Sequence, residues 1–335
     1  MKKQNISLVI VKIRLLKYIC LIFFTSLNVV AQKPTVEAEL EEDYRYQFKP
    51  VENNHNMTVM IDSIHNTIYS KPYGKETARE MLRIIKADGF NINFSGEKLL
   101  EKHLNNESTN LLIIHGMPND EEVLDNGTKK EILYTSPLNT KEVSNIGKFV
   151  FNGGSLLLFL SHFPEGSGAL PLVEAFQVKL RDGYAFQEQY HTSEDGICGH
   201  FMMNKNNKML NLDHPIFKNS LEKRTIPNNI RFYCGAAIFR NPEDVILPFP
   251  ENTINYTPEI GKKEYIEENS NNYAGMIGFE YGNGRVVICT DQGIFRSMNL
   301  LIKDKKIAVT IHDPEANNAG LFLNTLRWLT KLQNP

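Results

Sequence analysis

Ser155-Leu156-Leu157-Leu158-Phe159-Leu160-Ser161 (SLLLFLS) is the stretch on which the fold turns. A continuous apolar run of this length between two serines lacks the alternation of a half-exposed strand, and reads as a strand buried on both faces. Gly153-Gly154 precedes it and closes a segment in which Thr140 leads Val143, Ile146 and Val150 onto one helical face. Upstream, Leu111 to His115 (LLIIH) is a second run of the same kind. Before it come Thr58 to Asp62 (TVMID), a turn with Pro72 and Gly74, and Ala78, Met81, Leu82 and Ile85 at i, i+3, i+4 and i+7. Gly89 stops that helix, and Asn91 to Phe94 is the next strand.

Downstream, Phe163 to Tyr273 loses periodicity and gains Gly, Asn, Pro and aromatic residues, so it reads as a long elaboration of one domain. Regularity returns with Ala274 to Glu280, a turn at Gly282-Asn283-Gly284 and Val286 to Asp291, which form a hairpin feeding a last core strand. Phe322, Thr325, Leu326 and Leu329 mark a C-terminal helix. Strands alternating with helices predict an α/β fold: a flavodoxin-like open parallel sheet, helices on both faces, and a long insertion after the central strand.

The chain has 335 residues, 41% hydrophobic and 23% charged, which suffices for a large core. Lys2, Lys3, Lys12, Arg14 and Lys17 precede the apolar run Tyr18 to Ala31, which is shorter than the ~20 residues a membrane span needs. Residues 1–31 therefore read as a signal peptide cleaved after Ala31, and the protein as exported: periplasmic, secreted or at the cell surface, with no stable membrane span afterwards. A lipoprotein signal at Cys20 fits poorly, because Leu16 is one position too far back and the apolar segment follows the cysteine. Residues 32–56 are polar and acidic and read as a leader or linker, and 57–335 as the α/β domain. Three cysteines remain: Cys289 in an apolar run, and Cys198 and Cys234 in Gly-flanked loops, where a disulfide is open. A net charge of −2 without a basic stripe argues against nucleic acid as a partner, and Lys262-Lys263 and Lys303 to Lys306 read as solvated loops.

In open parallel sheets ligands bind beyond the carboxyl ends of the strands. Four strands end there in polar residues: Asp62 with His65-Asn66, His115 before Gly116, Ser161-His162, and Asp291-Gln292. Asp62, His65, Ser161, His162 and Asp291 are the candidates for catalysis; His65, Asn66, His115, His162 and Gln292 are those for binding a carbohydrate or other small polar ligand. No tight metal-ligand spacing occurs, so no metal is expected. Ser161 follows a buried strand as hydrolase nucleophiles do, but Phe159 and Phe163 stand where a sharp elbow wants small residues. Ser63-Ile64-His65-Asn66 occupies the place of a Gly-rich phosphate loop, so no dinucleotide cofactor is expected. Asp213-His214-Pro215-Ile216-Phe217 reads as a structural turn; His191 and His200 lie in the same elaborated region. Tyr184, Phe186 and Tyr190 suit either a stacking platform for sugar rings or ordinary packing.

Ile61-Asp62-Ser63-Ile64-His65-Asn66, the strand after Gly153-Gly154, Asp213-His214-Pro215-Ile216, Tyr281 to Val287 leading to Asp291, and Asn324 to Leu329 together resemble the class I glutamine amidotransferase-like superfamily. The chain looks most like its non-amidotransferase branch, which includes trehalose-utilisation-type proteins and domains found beside polysaccharide-degrading enzymes in Bacteroidetes. The resemblance implies a flavodoxin-like domain over roughly residues 57–332 and an association with glycan use, by binding carbohydrate or by hydrolysing a glycan-derived bond. Where the superfamily's amidotransferases place a nucleophilic cysteine, this chain has Ser161-His162. The resemblance therefore does not carry glutaminase activity with it.

Overall fold

The buried runs pair edge to edge as parallel strands. The computed structural model describes residues 35–38, 46–51 and 56–333, apart from 71, 97–98, 100–102, 126, 128–129, 165, 191–200, 260–263 and 303–304. The signal segment, Cys20, Cys198 with its pairing, His191, His200 and Lys262-Lys263 fall outside the described residues. Along the chain come β1 (Thr58–Asp62), β2 (Asn91–Ser95), β3 (Leu111–His115), β4 (Ser155–Phe159), β5 (Lys179–Arg181) and β6 (Tyr184–Phe186). They are followed by β7 (Ala237–Phe239), β8 (Val245–Pro248), β9 (Ile254–Pro258), β10 (Tyr265–Asn269), β11 (Ala274–Tyr281) and β12 (Gly284–Cys289). The helices used below are α1 (Arg79–Ala87), α2 (Thr140–Phe151), α3 (Leu170–Ala175) and α4 (Asn318–Leu329).

In the main sheet β2, β1, β3, β4 and β12 lie side by side and parallel. Numbered among themselves they run 2-1-3-4-5, the flavodoxin order. Beyond β12 the sheet continues antiparallel through β11, β7 and β5, with β8 also paired to β11. The expected hairpin is therefore present, and the insertion after β4 returns to extend the sheet. Alternation along β3 and β4 sends Leu112, Ile114, Leu156 and Leu158 into a core with α2 and α3. Leu111, Ile113, Leu157 and Phe159 enter a second core with α1 and α4.

Each helix follows from its residues. Asn139 caps α2 by accepting the Glu142 amide, while Glu142 reaches back to the Asn139 amide, a reciprocal capping box. Ile146, Phe149 and Val150 then bury one face of α2. Every residue of α4 is buried, because the sheet covers one side and other elements, α1 among them, cover the rest. The close pass of β12 beneath α2 needs Gly284, since a side chain there would overlap the Gly154 and Val150 carbonyls. Among the described residues no helix is long and apolar enough to cross a membrane.

Three expectations change. The packed body begins before residue 57: Tyr46 and Phe48 lie against the core, in a stretch whose acidic neighbours dominate its composition, and Thr35–Ala38 pairs with Ser297–Ile302. Lys305 and Lys306 open a strand, Lys305–Thr310, rather than a loop. A hairpin of Asp120–Asp125 and Lys130–Thr135, with Val123 and Leu124 exposed, was hidden because its acidic residues mask the strand pattern.

A buried ion pair ties the early segment to the body. Arg327 on α4 donates to Asp88 through Nε (3.0 Å) and Nη2 (2.7 Å), and Nη2 also reaches the Lys49 carbonyl at 2.7 Å. Both side chains are essentially inaccessible to water. Arg327→Met leaves Asp88 buried without its cation and is expected to cost about 3–5 kcal/mol. Urea unfolding measures this, and R327M/D88L should recover much of the loss.

Candidate functional site

The four polar strand ends do reach one rim, but they divide between the two faces of the sheet. Val59 and Ile61 point to the α1/α4 side, so Asp62 points to the α2 side. Leu111 and Ile113, and likewise Val287 and Cys289, point to the α1/α4 side, which carries His115 and Asp291 there too.

On the α2 side a histidine is held between two carboxylates. His65 Nδ1 lies 2.8 Å from Asp62 Oδ2, and Nε2 lies 3.0 Å from Glu142 Oε1. All three residues are buried. Glu142 was not among the sequence candidates. Its signal was the Asn139-x-x-Glu142 capping pattern, which fixes the carboxylate at the first turn of α2; the same carboxylate also accepts the Leu99 amide at 3.1 Å. Burial opposes charge on His65, but the Asp62 hydrogen bond, the Asp62 charge and Glu142 outweigh it and raise its pKa. The imidazolium thus donates from both ring nitrogens, joining the loop after β1 to α2. In this arrangement His65 has no ring nitrogen left for proton transfer. Asn66, exposed and in the left-handed conformation (φ 56°), donates to Asp120 at 3.3 Å.

On the other face His115 is wholly buried and donates from Nε2 to the Gln292 carbonyl at 2.8 Å. Burial above all lowers its pKa to about 3, the Gln292 bond opposing and the Arg296 charge assisting, so it is neutral. Its ring packs on Phe159, centroids 4.2 Å apart. Gly116, at φ +68°, leaves the space that the Gln292 side chain fills. Asp291 accepts the Tyr233 amide at 2.6 Å and the Gly293 amide at 2.7 Å, holding the loop after β12. In the 2-1-3-4-5 order the ligand crevice opens between β1 and β3. Here Asp62, His65 and His115, at or just beyond those strand ends, bond to other groups of the protein itself.

Ser161 is buried, and neither it nor His162 takes the left-handed backbone. The strained elbow that presents a nucleophile is therefore not formed at this strand end. His162 donates from Nδ1 to the Phe163 carbonyl at 2.9 Å. Near it stands Asp182, a residue the sequence did not single out. Burial pushes its carboxyl pKa up, while a hydrogen bond with Ser167 and the charge of His162 lower it.

Asp182 leads into a small sheet at the rim. β6, β9 and β10 pair antiparallel, and the Ala185 amide donates to the Gly235 carbonyl at 2.8 Å, next to Thr290 at the end of β12. Ala185 and Asn255 are buried on its inner face. The alternate residues face outward: Tyr184 opposite Tyr256, Phe186 opposite Ile254, and Glu267 opposite Tyr256 on its other side. Tyr184 and Tyr256 stack at 5.3 Å, with the Tyr265 and Phe186 edges against them at 6.3 Å each. A cleft of about 460 Å³ opens beside them, with Phe186, Ile254 and Tyr256 on one wall and Gln187, Glu188, Gln189 and Asn252 around it. Tyr184 and Phe186 lie together on this face, whereas Tyr190 packs on the main core. His214 is the structural cap expected of its turn: Nδ1 accepts the Ile216 amide and Nε2 donates to the Gly278 carbonyl.

The His65 clamp carries a pH signature. A histidine whose pKa is raised by folding stabilises fully below its ordinary value of about 6.5 and loses that stabilisation as pH rises through the folded value. His65→Gln is therefore expected to cost several kcal/mol near pH 5.5 and less near pH 9, roughly in the 3–5 kcal/mol range of broken buried pairs at the acid end. Urea titrations of both proteins across that range measure the gap; a gap that widens with pH refutes the clamp.

No family model and no curated protein matches the chain. Among solved structures, the N-terminal domain of mmIFT52 superposes over 82% of this chain and 97% of its own, with a TM-score of 0.51 at 11% identity. A ThuA-like protein from Bacteroides uniformis ATCC 8492 aligns over 85% of this chain and 95% of its own, at 12% identity and a TM-score of 0.44. Another from Parabacteroides merdae ATCC 43184 aligns over 84% and 90%, at 13% identity and a TM-score of 0.40. At these identities what the chain shares with the first of them is its fold.

Proposed function

We propose that this is an exported carbohydrate-associated binding or accessory protein, linked to polysaccharide use and lacking amidotransferase activity, which holds sugar in the cleft beside β6 and β9. The observation that carries this reading is the outward face of the β6-β9-β10 sheet. Surface sheets with one buried face ordinarily turn polar residues to water. Here Tyr184, Phe186, Tyr256 and Tyr265 occupy that face, and the amides of Gln187, Gln189 and Asn252 stand around the adjoining cleft. Sugar rings offer apolar C–H faces and a rim of hydroxyls, each both donor and acceptor. Aromatic faces suit the former, and amides, which also donate and accept, suit the latter.

The rest of the rim supports the same reading. The polar groups at the β1 and β3 ends bond to other groups of the protein, and neither Ser161 nor His162 takes the left-handed backbone of a nucleophile elbow. Residues 1–31, with their basic start and short apolar run, support export.

Calorimetry with plant and algal oligosaccharides tests the proposal, and failure of every one to bind refutes it. Tyr256→Ala and Phe186→Ala are each expected to weaken a bound oligosaccharide by about 1–2 kcal/mol, ~5- to 30-fold in Kd.

A second reading, hydrolysis of a glycan-derived bond, rests on His162 and Asp182, because a carboxyl whose pKa burial raises is suited to act as a general acid. Incubating the chain with the oligosaccharides it binds and following reducing ends tests it. Release that persists in both H162A and D182N refutes that assignment.

A further inference from the structure

We infer that the cleft beside β6 and β9 selects uncharged sugars over uronate or sulfated ones, with Glu188 as the residue that excludes anions. The inference rests on the sugar-binding reading above and adds the ligand class.

Among the described residues lining the cleft, Glu188 is the one charged side chain, and it is exposed. The remaining polar lining consists of the neutral side chains Gln187, Gln189 and Asn252. Gln187 is itself oriented by donating to the Glu251 carbonyl at 3.4 Å and by accepting the Gln189 amide at 2.5 Å.

Among the described residues, the Arg181 side chain at the end of β5, three residues before Tyr184, is committed elsewhere. The Arg181 guanidinium lies 4.1 Å over the Tyr273 ring, donates to Ser270 Oγ at 3.0 Å and to the Asn269 carbonyl, and faces Glu268 at 3.5 Å. Among the described residues lining the cleft a carboxylate or sulfate would find no cation; it would lose hydration against an apolar wall and meet the charge of Glu188. A neutral ring loses only hydroxyl hydration, which the amides replace. Selectivity here arises from repulsion of the wrong ligand as much as from attraction of the right one.

The experiment titrates the full chain with cellohexaose, laminarihexaose, maltohexaose and xylohexaose, and with oligogalacturonate and oligomannuronate of matched length. Each series runs at about 10 mM and about 300 mM salt, which shrinks the reach of exposed charge severalfold. At least one neutral oligomer is expected to bind, with both anionic ones weaker by roughly tenfold or more at low salt and by less at high salt. Glu188→Gln should raise anionic affinity severalfold and narrow the gap. Anionic oligomers that bind as tightly as the best neutral one, or a gap that neither salt nor E188Q changes, overturn the inference. Anionic binding that Y256A abolishes would overturn this selectivity while upholding sugar binding, whereas no binding by any oligomer overturns both.

Discussion

β4 has strands on both edges and helices on both faces, so no group it carries can meet water before residue 161. That constraint organises the molecule. It requires two apolar cores, one closed by α2 and α3 and the other by α1 and α4, and it leaves the ends of the sheet as the places where polar side chains can gather. It also explains why α4 is buried all round: that helix closes the second core, and Arg327, buried on it, is neutralised by Asp88.

The same rim that hosts ligands in open α/β sheets is largely consumed here by internal bonds. On one face the His65 imidazolium satisfies two buried carboxylates, which would otherwise be near one another without a counter-charge. On the other, neutral His115 and the Gln292 side chain close the space above Gly116. Two histidines at or just beyond the ends of neighbouring strands thus have their pKa values moved in opposite directions. His65 has carboxylates at both nitrogens, whereas His115 meets a carbonyl, aromatic rings and the field of Arg296. Apart from these bonded groups, the outward face of the β6-β9-β10 sheet gathers half-buried aromatic rings beside a cleft.

That accessory sheet exists because the insertion after β4 returns to the main sheet. β5 ends at Arg181, Asp182 turns the chain, and Tyr184 begins the outward aromatic face only three residues later. The short connection joins this aromatic face to Asp182, whose carboxyl feels the charge of His162 beyond the end of β4.

Much of this was written in local pattern. The double-faced apolar runs, the Gly153-Gly154 stop, the hairpin through Gly282-Asn283-Gly284 and the helical spacing around Met81 each depend on near neighbours, and these determined the α/β class and the positions of the polar strand ends. The sequence also marked Tyr184 and Phe186 as candidate stacking residues. What it could not determine is which of these residues touch. Glu142 meets His65 across 77 positions, His115 meets Gln292 across 177, and Tyr184 meets Tyr256 through strand register. Periodicity carries no information about such pairs, because they are set by crossover topology and by which face each alternating side chain takes. Only the tertiary structure decided that the strand-end cluster is divided between two faces, that its most prominent histidine is held by two carboxylates, and that the open polar and aromatic cleft lies on the inserted sheet.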